Sequence, residues 1–180
     1  MRFVKTPAAA QLTGLSTVIL REWTNRRALI PADLAPKGKG SPAGFTWHTI
    51  LLLRIAVVLR DRFHFELQPH QDLFACLKAG FQRTSFVALW GKSLILRGDN
   101  NWSLVEDADG LPLAEDAVVI RLQPHLEALS AGFSLPHPAK SAGQLELFPA
   151  RSVDARTNAT TIAGSTKSRH ATAPARRRSA

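Results

Sequence analysis

The chain has a single cysteine, Cys76, among its 180 residues. One thiol cannot form an internal disulfide or a multi-thiol metal site, and it fits a reducing cytosol. Long apolar runs are also missing: the most apolar stretch, residues 50–59, is interrupted by Arg54 and falls far short of the roughly 20 residues that a membrane span needs. The early apolar run is too short for a secretory signal. We therefore expect a cytoplasmic protein with no membrane partner.

Catalytic and metal-binding patterns are scarce as well. The six histidines show no ligand spacing, and no Ser/His/Asp, paired-carboxylate or phosphate-loop arrangement stands out. Asp107, Asp109 and Gly110 match fragments of a calcium loop, but the remaining ligand positions are missing. We therefore expect neither an enzyme nor a bound metal or cofactor.

Positive charge is concentrated at the two ends of the sequence. Residues 1–62 carry ten Lys or Arg and three acids, a net charge of +7, whereas residues 63–148 have a net charge of −4 and residues 149–180 a net charge of +6. This distribution favours a polyanionic partner at both ends, and a protein or small-molecule role for the middle.

Two helices separated by a glycine turn are predicted near the start. Thr6 is expected to cap the first helix, with Pro7 at its first position, and Gly14 to take the left-handed conformation of a tight turn. Ser16 is expected to cap a second helix over residues 17–27. The spacing predicts a helix-turn-helix. The residues expected to face inward are Ala10, Leu15, Leu20 and Trp23.

The outer side of the second helix is the predicted DNA-reading surface. Short groups near the start of such a helix reach base edges, and arginines further along reach phosphates. We expect base readout from Thr17, Val18 and Asn25, and a register-fixing phosphate contact from Arg21. The predicted DNA-binding residues are Ser16, Thr17, Val18, Arg21, Asn25, Arg26 and Arg27, with Lys37 and Lys39 in the following loop.

Several motifs occur in an order that resembles the winged helix-turn-helix of the mercury-resistance-regulator (MerR) family. They are Leu20-Arg21-Glu22-Trp23, Leu29-Ile30-Pro31, a glycine-rich loop and Gly44-Phe45-Thr46-Trp47. The resemblance covers about the first third of the chain. It implies a winged, dimeric DNA-binding head, with the second helix in the major groove and the loop on the DNA backbone.

Two positions depart from the family pattern, and one element is missing. Ala28 stands where the family usually has a glycine, and the wing has no arginine beside Phe45, so Lys37 and Lys39 are candidates for its charge. The family's long dimerising coiled coil is absent. A third helix, capped by Thr46 and ending near Arg62, is nevertheless unusually apolar, and packing within the head and a dimer surface explain this equally well.

Residues 67–133 are predicted to form a small α+β module. A hairpin of residues 93–97 and 102–106 turns at Gly98, and residues 117–122 add a third strand. Residues 126–131 form a closing helical turn, and residues 86–90 fit strand or helix equally. A helix over residues 68–80 is expected to point Leu73, Phe74, Cys76 and Leu77 inward.

Residues 134–180 are predicted to be a disordered basic tail, because their composition cannot bury enough apolar area to offset ordering entropy. Its arginines would add phosphate contacts or keep the chain soluble. One run, Gln144-Leu145-Glu146-Leu147-Phe148, resembles the Gln-Leu-x-Leu-Phe peptide by which bacterial proteins dock on the DNA polymerase sliding clamp. That resemblance implies clamp contacts from Gln144, Leu145, Leu147 and Phe148; alternatively, the apolar residues fold back onto the middle module.

The predicted fold class is therefore α+β, with a winged helix-turn-helix head (residues 1–66), an accessory module (residues 67–133) and a tail (residues 134–180). The expected function is sequence-specific binding of double-stranded DNA by a nucleoid-associated bacterial regulator, with a homodimer implied by the resemblance. The alternatives are an excisionase-like or antitoxin-like protein of a mobile element, and a replication or repair factor tethered to the sliding clamp. An enzyme in the middle module is a third alternative, disfavoured because no catalytic constellation is visible there.

Overall fold

Helices and two small antiparallel sheets are formed by the residues that the computed structural model describes within the compact unit Met1–Ala139. The described residues are 2–36, 38, 41–98, 100–107 and 116–137. Outside them lie the predicted wing lysines, Lys37 and Lys39, and all of the predicted tail except residues 134–137. The clamp-like residues also lie outside them, namely Gln144, Leu145, Leu147 and Phe148. In chain order the elements are β1 (Val4–Lys5), α1 (Thr6–Thr13), α2 (Thr17–Arg21), a π-helical turn (Glu22–Arg26), β2 (Gly44–Phe45), α3 (Trp47–Phe63), a 3₁₀ turn (Gln68–His70), α4 (Gln71–Gln82), a second 3₁₀ turn (Val87–Leu89), β3 (Lys92–Leu96), β4 (Trp102–Glu106), β5 (Val118–Arg121) and α5 (Gln123–Phe133).

The first two helices follow their local sequence signals closely. Helix α1 ends at Gly14, which has a φ of 75° and so takes the predicted left-handed conformation. Ser16 caps α2, since its hydroxyl oxygen accepts the Ile19 N–H at 3.2 Å. The prediction that Thr6 caps α1 is wrong: Thr6 is already helical, and Lys5 is the capping residue, with no side-chain cap bond.

The second helix is not uniformly α-helical, as the sequence had led us to expect. After Arg21 it widens into the π-helical turn Glu22–Arg26. Within this turn the Thr24 hydroxyl donates to the Leu20 carbonyl oxygen at 2.8 Å, a side-chain bond of the kind that competes with the regular backbone ladder. The helical path nevertheless covers nearly all of the predicted residues 17–27.

The chain leaves this second helix through Ala28, which has a φ of 48°. The left-handed region brings Cβ too close to the following carbonyl oxygen, so alanine is strained there and glycine is not. The turn is fixed because the Leu29 and Ile30 N–H groups both donate to the Trp23 carbonyl, at 2.9 and 3.3 Å. Ala28 also stands at the position where the resembled family pattern has a glycine, the residue that this conformation favours.

Ala28→Gly is expected to stabilise the protein by about 0.5–1 kcal/mol, because relief of left-handed strain outweighs the extra backbone entropy that glycine loses on folding. Urea unfolding followed by tryptophan fluorescence measures the change. The exposed helical substitution Ala79→Gly is the control and should cost about 1 kcal/mol. A loss of stability at position 28 would mean that alanine is not strained there.

Helix α3 is the centre of the compact unit. Ile50, Leu51, Leu53 and Ile55 are fully buried, and α1, α4 and α5 all pack against this helix. Most of its apolar surface is therefore covered inside the unit, although Val57 and Val58 are only half-buried and Phe63 is exposed; a dimer surface on α3 stays a prediction. The core cluster also includes Phe81 of α4, so residues from both predicted domains share one core.

The second half adds helices α4 and α5 and a three-stranded antiparallel sheet with the order β4-β3-β5. The predicted hairpin and third strand are confirmed, and residues 86–90 contain a 3₁₀ turn. Cys76, predicted to face inward, is exposed. The buried stripe of α4 passes through Leu73, Phe74, Leu77 and Phe81, and position 76 lies about 115° around the helix from its centre.

No helix in the part of the chain that the structure describes combines the length and the apolar character needed to cross a bilayer.

Candidate nucleic-acid interface

Buried apolar side chains fix the inner side of the second helix. Leu15, Leu20 and Trp23 are 5%, 0% and 6% exposed, as the helix-turn-helix spacing predicted, and Ala10 of α1 is buried beside them. Each fully buried side chain of this size contributes roughly 1.5–3 kcal/mol of transfer free energy. The second helix is therefore anchored by its inner side chains, and the residues on its outer side are not needed for this packing.

The predicted DNA-binding residues of this helix all lie on its exposed surface. Val18 is 74% exposed, and the side chains of Arg26 and Arg27 are 83% and 57% exposed. The remaining members, which are also exposed, are Ser16, Thr17, Arg21 and Asn25.

A groove of about 300 Å³ runs along part of this surface. Thr17, Arg21 and Asn25 line its helical wall, and α1 contributes Thr6 and Pro7. The loop before β2 contributes Pro36, Ser41, Pro42 and Ala43 to the lining. The structure thus brings three of the predicted residues together in one groove, whereas Ser16, Val18, Arg26 and Arg27 lie outside it.

Two backbone hydrogen bonds close the base of the predicted wing loop. Leu34 and Gly44 form an antiparallel bridge, in which each N–H donates to the other's carbonyl at 3.0 Å. Strand β2 continues from this bridge and pairs with β1 through the partners Val4 and Phe45. The loop of residues 35–43 therefore starts and ends beside the first helix of the candidate interface.

Asp33 ties the same loop base to α3 and α4. Its Oδ2 accepts the Thr46 N–H at 2.7 Å and the Thr46 hydroxyl at 3.0 Å, and its Oδ1 lies 3.3 Å from Lys78 Nζ. Burial by itself would raise the pKa of this carboxyl, but the hydrogen bonds and the Lys78 charge outweigh it and hold the pKa below its ordinary value. Asp33 thus remains an anion that anchors the loop.

Glu22 holds two of the predicted phosphate-binding arginines. Its Oε1 lies 3.0 Å from Arg27 Nε, and its Oε2 lies 3.5 Å from Arg26 Nη1. Exposed ion pairs of this kind add little stability, but they restrict where the guanidinium groups point. A phosphate that binds either arginine would have to compete with this carboxylate.

Comparison with models of known protein families gives no match, and comparison with curated protein sequences gives none either. The likeness to the MerR head is thus carried by the ordered sequence motifs alone.

Two residues of this surface escaped the sequence analysis as functional candidates. Ile19 is 38% exposed beside Val18, although an isoleucine in an amphipathic helix is usually assigned to the core. Glu22, which pairs with Arg26 and Arg27, has no role among the predicted DNA-binding residues. The spacing between Glu22 and Arg26, four positions along the helix, is the signal that could have identified that pair.

Proposed function

We propose that this protein is a sequence-specific DNA-binding protein with a winged helix-turn-helix head, acting as a MerR-like bacterial transcriptional regulator. The second helix, α2 with its π-helical turn, enters the major groove of duplex DNA. The observation that carries the proposal is the two-sided character of this helix: its inner residues are buried, while the outer side presents Thr17, Arg21 and Asn25 along an open groove.

The charge distribution supports the same partner. Residues 1–62 have a net charge of +7, which favours approach to a polyanion. Among the described residues no carboxylate pairs with Arg21, unlike Arg26 and Arg27. Arg21 can therefore contact a phosphate without first giving up an ion pair, which makes it the strongest candidate for the register-fixing contact.

Arg21→Ala is expected to weaken binding to all duplexes alike, by about 5- to 10-fold, and to reduce the slope of log affinity against log salt by about 1. Fluorescence anisotropy at several salt concentrations measures both quantities. The matched control is Arg83→Ala, an exposed arginine after α4, for which we expect a smaller effect. A loss confined to one DNA sequence would contradict a phosphate role and indicate base readout.

The general proposal is tested by selecting random duplex DNA with the full chain and titrating the winners with salt against a scrambled pool. Enrichment of a defined site, with a specificity gap that survives raised salt, is the expected result; a two-fold-related site would support the dimer. Without enrichment, and with affinity that collapses as salt rises, the basic residues would be a general tether.

The clamp-like run of residues 144–148 supports a second candidate, a replication or repair factor in which the head supplies DNA affinity. Binding of the full chain to a purified sliding clamp, without any sequence preference in the selection, would favour it over the regulator.

A further inference from the structure

Two adjacent apolar side chains are exposed in the first turn of α2. Val18 is 74% exposed, the highest value among the large apolar residues that the structure describes, and its neighbour Ile19 is 38% exposed. The residues that hold α2 to the rest of the fold are Leu20 and Trp23, both buried. The fold therefore does not require an apolar residue at position 18.

Helix formation does not require valine there either. Valine and isoleucine lose side-chain freedom in a helix and are poorer helix formers than alanine, lysine or glutamate. A single exposed apolar residue needs no explanation, but two neighbours at the start of an otherwise polar and basic helix surface form a small apolar tip. We call Val18 and Ile19 the apolar tip.

The groups around the apolar tip indicate what would cover it. Arg21 follows within one turn, and Thr17 and Asn25 are exposed along the adjacent groove. The net charge of +7 on residues 1–62 suits an anionic partner, and duplex DNA supplies both phosphates for Arg21 and base edges for the apolar tip. Charge complementarity therefore favours DNA.

The major groove offers one apolar group on its base edges, the C5-methyl of thymine. Resting on the proposed function, we infer that the apolar tip packs against a thymine methyl in the bound site, so that this protein selects DNA with thymine at a fixed position. Val18 is the main contact, because it is the more exposed of the two, and Ile19 flanks it. Removing one methyl from this contact should weaken binding by about 3- to 10-fold.

Replacement of thymine by deoxyuridine tests the inference directly, since uracil keeps every hydrogen-bonding group of thymine and lacks only the methyl. The full chain would be measured against the selected duplex and against duplexes with deoxyuridine at each thymine in turn. We expect the penalty at one position in the sequence bound by each copy of the second helix, and we expect it to disappear in Val18→Ala. The matched control is Val87→Ala, another exposed valine, 50% exposed, which should keep the penalty intact.

The outcomes separate this inference from the proposed function. A selection that returns no defined site defeats the proposed function and the inference with it. A defined site whose deoxyuridine forms all bind as tightly as the thymine form defeats the inference alone. A penalty that persists unchanged in Val18→Ala, with circular dichroism confirming that the variant is folded, also overturns it, because the methyl would then be read by other residues.

Discussion

Gly80→Ala is expected to lower the free energy of unfolding by about 1–2 kcal/mol. A Cβ at this position would lie 2.3 Å from Cη2 and 2.4 Å from Cζ2 of the Trp102 indole, far inside van der Waals contact. Overpacking typically costs about 1–3 kcal/mol, and the roughly 1 kcal/mol that alanine gains in helix propensity offsets only part of it when the clash is this close. Urea unfolding followed by far-UV circular dichroism measures the change.

A neighbouring substitution and a double mutant isolate the clash. Ala79→Gly, one position earlier in α4 and exposed, removes helix propensity without opening a contact. Trp102→Leu removes the indole edge, so Gly80→Ala should cost much less in its presence than alone. Two results would show that the close packing of α4 on β4 is not what requires glycine: a stabilising Gly80→Ala, or additive effects of Gly80→Ala and Trp102→Leu.

The sequence predicted those elements whose signals are local. Gly14 and Ser16 fixed the turn and the start of α2, and Gly98 marked a hairpin that the structure confirms. Each of these depends on one residue's own backbone preference or on a bond to a near neighbour. These local preferences are kept in the folded protein because no contact with the rest of the chain opposes them at those positions.

What the sequence missed depends on contacts between distant segments. Nothing near Gly80 indicates that the Trp102 indole approaches it, and an apolar Cys76 is naturally assigned to the core until the stripe of α4 is located. The apolar excess of α3 was similarly ambiguous, because only the positions of α4 and α5 show what covers it. Pattern alone gives the apolar positions, but the partner that buries them is set by topology.

In the candidate site, too, the sequence predicted the features with a local signal and missed those that depend on the folded structure. Helical spacing placed the predicted residues from Ser16 to Arg27 on the exposed side, and the structure agrees for every one of them. Spacing revealed neither the π-helical turn, in which the Thr24 hydroxyl donates to the Leu20 carbonyl oxygen, nor the exposure of Ile19. The contribution of Lys37 and Lys39 stays a prediction.

Arg54 joins the first helix of the candidate interface to α5. It projects from α3, where its Nη1 donates to the Leu12 carbonyl at the end of α1 and its Nε donates to His125 Nδ1 at 3.3 Å. His125 can accept this bond only while Nδ1 is unprotonated. Burial, together with the charges of Arg54 and Arg62, lowers the pKa of His125 from 6.5 to about 4.

The stability of the protein is therefore expected to fall as the pH drops from about 6.5 to about 4. In this window the unfolded chain binds a proton at His125 and the folded chain does not, so protonation favours unfolding; above about 6.5 both states are neutral and the contribution is constant. One pKa unit corresponds to about 1.4 kcal/mol, and allowing for the partial solvent exposure of the ring we expect a loss of about 2 kcal/mol across the window.

His125→Asn tests this expectation because the asparagine oxygen can still accept from Arg54 but does not titrate. Urea unfolding between pH 4.5 and 7.5 should give a shallower dependence of stability on pH for this variant than for the unsubstituted protein. Arg54→Met should also reduce the slope, since it removes one of the charges that lower the pKa of His125, while costing stability at every pH. Parallel stability curves for His125→Asn and the parent protein would show that this histidine is not the group that couples folding to pH.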